Sequence, residues 1–127
     1  MALAQNNQFT AIDFRYLKDD AMLGNNPRSN AFGTTGKLYA IFLDNTTGSA
    51  SASAYLKLFD TAADVSSGTT VPDFEFRFTN AATLHSWVFP EGLTFSNGFG
   101  YNASTGAGTT HGGNLAAVIK SLIFVFK

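Results

Sequence analysis

An all-β fold is predicted: an antiparallel β-sandwich or jelly-roll of seven or eight strands over residues 37–127, preceded by an extended N-terminal arm over residues 1–36. Three observations carry this. In Asp73-Phe74-Glu75-Phe76-Arg77-Phe78-Thr79, three phenylalanines take one face and the remaining residues the other, the period-two pattern of a half-buried strand. Short apolar runs recur along the chain between turns rich in Asn, Thr, Gly and Ser. The aromatic complement is 13 Phe against 4 Tyr and 1 Trp, so most rings have no polar handle and are there to be buried. At 127 residues and 45% hydrophobic side chains, the chain has enough material for one domain around one core.

The elements follow in order. The arm is rich in Asn, Gly and Gln and is broken at Asn25-Asn26-Pro27 and Gly33-Thr34-Thr35-Gly36. Within it, Ile12, Phe14 and Tyr16 alternate with Asp13 and Arg15, which predicts a short edge strand over residues 11–17. Ordering backbone costs about 1–2 kcal/mol per residue, so Phe9, Ile12, Phe14, Tyr16, Met22, Leu23 and Phe32 must find a surface, on their own domain or on a neighbouring subunit. The expectation is that contacts outside the sandwich hold the arm. Residues 37–44 place Leu38, Ala40 and Phe42 on one face and Tyr39, Ile41 and Leu43 on the other, which reads as a central strand covered on both sides. Residues 45–51 form a turn-forming loop, and residues 52–60 return with Ala54, Leu56 and Leu58 inward, completing an antiparallel hairpin. Residues 61–72, with Ser67-Gly68 and Pro72, form a crossing between sheets. Residues 73–79 and 83–89 flank Asn80-Ala81-Ala82 as a second hairpin, with Phe74, Phe76 and Phe78 buried together with Leu56 and Leu58. Residues 94–95 and 99–105 supply further strand, interrupted at Asn97-Gly98. The run from Leu115 to Ile119 suits a helix start as well as a strand, whereas Ile123-Phe124-Val125-Phe126 has strong strand propensity, and residues 118–126 are assigned to a strand.

Tyr55-Leu56-Lys57-Leu58-Phe59-Asp60, then Gly68-Thr69-Thr70-Val71-Pro72, then Gly92-Leu93-Thr94-Phe95-Ser96-Asn97-Gly98 occur in that order, leading into an Ala/Thr/Gly-rich segment at residues 103–113. In this the chain resembles small structural proteins of tailed bacteriophages, in which a Y-L-K-L-Y strand, a G-T-x-x-P loop and a G-L-x-F-x-x-G turn follow one another. The resemblance covers roughly residues 38–110. It implies a β-sandwich virion component, and the long N-terminal arm lies outside the shared pattern.

Catalytic, metal and cofactor chemistry find little support in the residues. The chain has no cysteine, which removes disulfides, thiolate metal sites and thiol catalysis together. His85 and His111 are distant in sequence and neither has a ligand-spaced partner, so they read as an outward strand position and a loop residue. Asp19-Asp20 lacks the D-x-D-x-D-G pattern of a calcium loop and reads as a solvated acidic turn. The glycine-rich residues 105–113 lack the lysine of a phosphate loop, and no G-x-S-x-G elbow exists. A net charge of −1 leaves no basic footprint for nucleic acid. Neither a signal-peptide pattern nor an eighteen-residue apolar run is present, so the expected site of synthesis is the cytoplasm, with no membrane partner.

One feature rises above background: from Phe78 to Ile119, Glu91 is the only charged side chain. An average surface would place roughly ten charges in that length, and Asn, Ser and Thr serve a wet subunit contact without the desolvation cost of ions. The expected role is therefore a non-enzymatic virion structural protein, a capsid decoration or cement protein acting as a dimer or trimer on the major capsid protein. The alternative is a neck, tail or fibre component or a carbohydrate-binding module, in which Trp87, Tyr39 and Tyr101 would stack on sugar rings. The residues assigned to assembly contacts are Phe9, Ile12, Phe14, Tyr16, Trp87 and Tyr101. No cofactor is assigned.

Overall fold

Two long strands, β2 (Gly36–Phe59) and β3 (Phe74–Phe95), run antiparallel from end to end and carry the rest of the sheet. In the computed structural model, which describes residues 14–31 and 35–127, they are joined by β1 (Arg15–Asp19), β4 (Gly100–Ser104) and β5 (Ser121–Phe126). The sheet order is β1-β5-β2-β3, with β4 also on β2 and a single bridge, Arg28↔Tyr101, extending from β4. All pairings are antiparallel, no helix occurs among the described residues, and the sheet curls into a half-barrel.

The two predicted hairpins are one bent ribbon. Residues 45–51 and 80–82, each read as a chain-reversing turn, lie opposite one another: Asn45 pairs with Thr83, Ser49 with Ala81 and Ser53 with Thr79, with a register shift at each step. The two stretches pair with each other at these points, so neither reverses the chain. Asn45, fully buried, donates through Nδ2 to the carbonyls of Thr79 (3.1 Å) and Ala81 (3.3 Å). Gly48 lets the strands close in, since a Cβ there would sit 2.6 Å from the Asn80 carbonyl oxygen. The extra residues on β2 bend the ribbon, as bulges do. The bend brings β3 back over itself: Phe76 lies 5.3 Å from Trp87 and 5.5 Å from Phe89, and Phe74 lies 5.6 Å from Phe95, ring centre to ring centre. Merging of predicted strands accounts for the five elements seen among the described residues.

Beyond the bend, the free side of β2 is shared. Its first half pairs with β5, from Leu38↔Phe126 to Asp44↔Ser121, and its second half pairs with β4, from Tyr55↔Ser104 to Phe59↔Gly100. The inner faces meet in a phenylalanine-rich core in which Phe99 packs within about 5 Å of Phe95, Phe124 and Phe126. Leu56, Leu58 and Phe78 are buried there as expected, whereas Phe74 and Phe76 are half-buried, because they line the open side where the two arms of β3 face each other.

Residues 14–31 of the predicted arm lie on this sheet. β1 pairs with β5 at the edge, somewhat later than the predicted residues 11–17, and Met22 is fully buried in the core. Burial of such a side chain contributes about 1.5–3 kcal/mol. Phe9, Ile12 and Phe32 lie outside the described residues. Residues 115–120 are neither helix nor strand: Leu115 and Ile119 are buried as anchors, and their amides donate to the carbonyls of Leu23 and Met22. The strand predicted from residue 118 therefore starts at Ser121.

Candidate interaction surface

Tyr39 decides which residues of the first half of β2 face outward. The register shifts between Leu38 and Ala40, where several residues of β3 oppose one of β2 and Gly92 (φ 77°) packs against Lys37 and Tyr39. The bulge changes the strand's parity, so Leu38 joins Ile41 and Leu43 in the core while Phe42 turns out. The sequence placed Leu38 and Phe42 on one face and read both faces as covered; the outer face is open.

That face forms a grid across four strands. One row reads Tyr16, Val125, Ala40 and Val88; the next reads Lys18, Ile123, Phe42 and Ser86. A third holds Ser121, Asp44 and Leu84. Tyr16 is 72% exposed, Leu84 70%, Val88 65% and Phe42 45%, with Ile123 and Val125 half-buried between them. A shallow depression runs between Phe42, Leu84 and Ile123. The two charges in the grid, Lys18 and Asp44, stand at its margins. The Asp44 carboxyl is held below the usual range by the Thr46 hydroxyl (2.6 Å) and amide (3.0 Å), with Lys120 adding to this, so it stays ionised.

The other sequence-selected residues have internal roles. Tyr101 is buried and donates to Asp19 Oδ2 at 2.9 Å; Arg28 Nε donates to the same oxygen at 2.8 Å, and the Ala21 amide to Oδ1 at 2.9 Å. Asp19, expected in a solvated turn, is thus a 7% exposed carboxylate with several donors that ties β1 to Arg28 and β4. Burial alone would raise its pKa, but Arg28, Ala21 and Tyr101 together bring it below the ordinary carboxylate value. Burial, and then the bond to Asp19, push the Tyr101 phenol well above its usual range. Tyr101 is thus 2% exposed, with its hydroxyl engaged by Asp19.

Trp87 is half-buried in the seam between the arms of β3, stacked on His85 at 5.7 Å and packed on Phe76. His85, expected to face outward, is turned into this seam; its Nε2 lies 2.9 Å from Thr83 Oγ1 and accepts from the Thr79 amide at 3.4 Å, and burial lowers its pKa. Phe14 packs edge-on against Tyr39, beside the exposed grid. Of the described assembly residues picked from sequence, Phe14, Tyr16, Trp87 and Tyr101, only Tyr16 lies in the exposed grid itself. Phe42, Leu84, Val88 and Ile123 were missed, although their apolar character on alternating positions was the available signal.

The fold also brings Ser67 to His111, in hydrogen-bond contact through Nδ1, with Asn102 Nδ2 donating to the serine hydroxyl at 3.2 Å. Lys57, buried and with its pKa lowered by that burial, donates to the Thr110 carbonyl at 2.7 Å, and the Gly108 amide donates to Glu75 at 2.6 Å. Among the described residues no carboxylate is hydrogen-bonded to the second ring nitrogen of His111. These bonds fasten residues 105–113 to the sheet and to the loop at residues 61–72. No group of three or more potential metal-ligating side chains occurs among the described residues, nor any helix long and apolar enough to cross a membrane. No family model, curated relative or solved structure matches the chain.

Proposed function

We propose that the chain is a non-enzymatic structural subunit that acts by binding other proteins, and that it belongs to the virion of a tailed phage as a capsid decoration or cement protein. The observation that carries the assembly reading is the exposed grid around Tyr16, Phe42, Leu84 and Val88. The largest contiguous apolar patch on a soluble monomer, typically about 300–600 Å², is often a functional contact surface. The phage assignment rests on the order of the Y-L-K-L, G-T-x-x-P and G-L-x-F-x-x-G segments. In this reading the two arms of the bent ribbon act as the layers of a small β-sandwich, one presenting its apolar outer face to neighbouring proteins. The charge-poor residues 78–119 favour the same role, since they include Leu84, Ser86 and Val88 of that face.

Copy number in purified particles tests the proposal. A decoration protein is present in hundreds of copies; a few copies would move the chain to the neck, tail or fibre, and absence from particles would overturn the virion assignment. A glycan-array signal that disappears on Tyr16→Ala with the melting temperature unchanged would replace the assembly reading with carbohydrate binding.

A further inference from the structure

The exposed grid is self-complementary, and we infer that its occupant is a second copy of this chain, packed face to face across a two-fold axis. This deepens the assembly reading and rests on it. The first argument is area. With roughly 150–220 Å² available on a fully exposed side chain of these sizes, the fractions at Tyr16, Phe42, Leu84 and Val88 leave about 450 Å² on four residues. That is more than half of the roughly 800 Å² each partner buries in a stable interface, and Ile123, Val125 and the polar positions of the grid extend it.

The second argument is charge. A two-fold contact brings each residue of the patch against its counterpart's surroundings twice, so a single-sign patch would repel itself. Here the grid carries one Lys and one Asp at separate margins, on β1 and where the pairing of β2 with β5 ends, beside Lys120, with apolar and Ser side chains between them. Copies turned end for end bring the Lys18 side of one toward the Asp44 side of the other. The chain's net charge of −1 adds almost no long-range repulsion. The geometry is that of two sheets stacked about 10 Å apart with their side chains interdigitated.

Light scattering and equilibrium sedimentation of the full chain at micromolar concentration test this. The expected species has twice the 13.5 kDa chain mass. Leu84→Asp and Val88→Asp, each at a largely exposed position, should raise the dissociation constant at least a hundredfold while leaving the thermal melt within a few degrees of the parent. Since the chain has no cysteine, Ser86→Cys gives a single thiol at the patch, and its maleimide labelling should slow as protein concentration rises. A parent monomer throughout the range, or a dimer that both aspartate variants retain, overturns the inference. If the parent is monomeric yet Leu84→Asp abolishes incorporation into particles, the assembly reading stands and only self-pairing falls; if incorporation is also unchanged, both fall.

Discussion

Replacing Gly48 with alanine separates a bent ribbon from a pair of hairpins by the sign of its effect. In a free surface loop the change would be neutral or stabilising by about 0.4–1 kcal/mol, because alanine restricts the unfolded chain and Gly48 is not among the positive-φ glycines. In the observed fold the new Cβ would lie 2.6 Å from the Asn80 carbonyl oxygen, 2.7 Å from Asn45 Nδ2 and 3.0 Å from the Ala81 carbonyl oxygen, where ordinary contact begins at 3.4 Å. The strands must part by most of an ångström, and two of the three obstacles are backbone. Overpacking of this kind costs about 1–3 kcal/mol. If the opening also breaks the bonds from Asn45 to the Thr79 and Ala81 carbonyls, about 1–3 kcal/mol more is lost through buried acceptors left unpaired. The expected destabilisation is therefore about 1–3 kcal/mol in a urea melt if the Asn45 bonds survive and about 2–6 kcal/mol if they break, with Ser49→Ala, at an exposed neighbouring position, as the control within about 0.5 kcal/mol. A stabilised or unchanged Gly48→Ala protein would mean that residues 45–51 form a loop and that the ribbon does not continue through them.

Four further outcomes are expected. Phe78→Ala should cost about 3–5 kcal/mol and Phe76→Ala only about 1–3, because Phe78 is 2% exposed in the core and Phe76 is half-buried in the seam; denaturant melts of both give the order, and a reversed order would mean that the tightest packing along β3 lies at the seam rather than at Phe78. Asp19 has a native pKa below its unfolded value of about 3.9, so its contribution is present above that pH and is lost as pH falls through the native value; Asp19→Asn should flatten the stability profile below about pH 4. Tyr101→Phe removes a donor from that carboxylate and should cost about 1.5–3 kcal/mol in the same melts at neutral pH, and no loss would show the hydroxyl to be idle. Deleting residues 1–30 removes β1 and Met22, so circular dichroism should show loss of cooperative folding; a truncated chain that stays folded would return these residues to the role of an outside-held arm.

How much was legible divides along the range of the interactions involved. The period-two runs at residues 37–44, 52–60 and 73–79 were readable as strands because alternation is a local consequence of the pleat, and Leu56, Leu58 and Phe78 were accordingly placed inside. The candidate surface was only half legible. Tyr16 could be named from its own alternation, but Phe42 was assigned to a covered face because the bulge at Tyr39, which turns it outward, depends on how many residues β3 sets opposite. The burial of Tyr101 was illegible for a related reason: an amphipathic ring looks the same in sequence whether its hydroxyl meets solvent or a buried carboxylate 82 positions away.

The sequence by itself determined an all-β chain with a phenylalanine core, polar connections and a long stretch almost free of charge. These follow from side-chain size, polarity and spacing, which act over a few residues. Only the tertiary structure decided that two turn-like segments pair with each other and bend a single ribbon, that Met22 and Asp19 belong to the packed fold, and that one sheet face stays open. Each of these depends on which distant backbone groups meet. Asn45, Gly48 and Asn80 make a turn or a bend from the same local preferences, and the pairing partner across the ribbon selects between them.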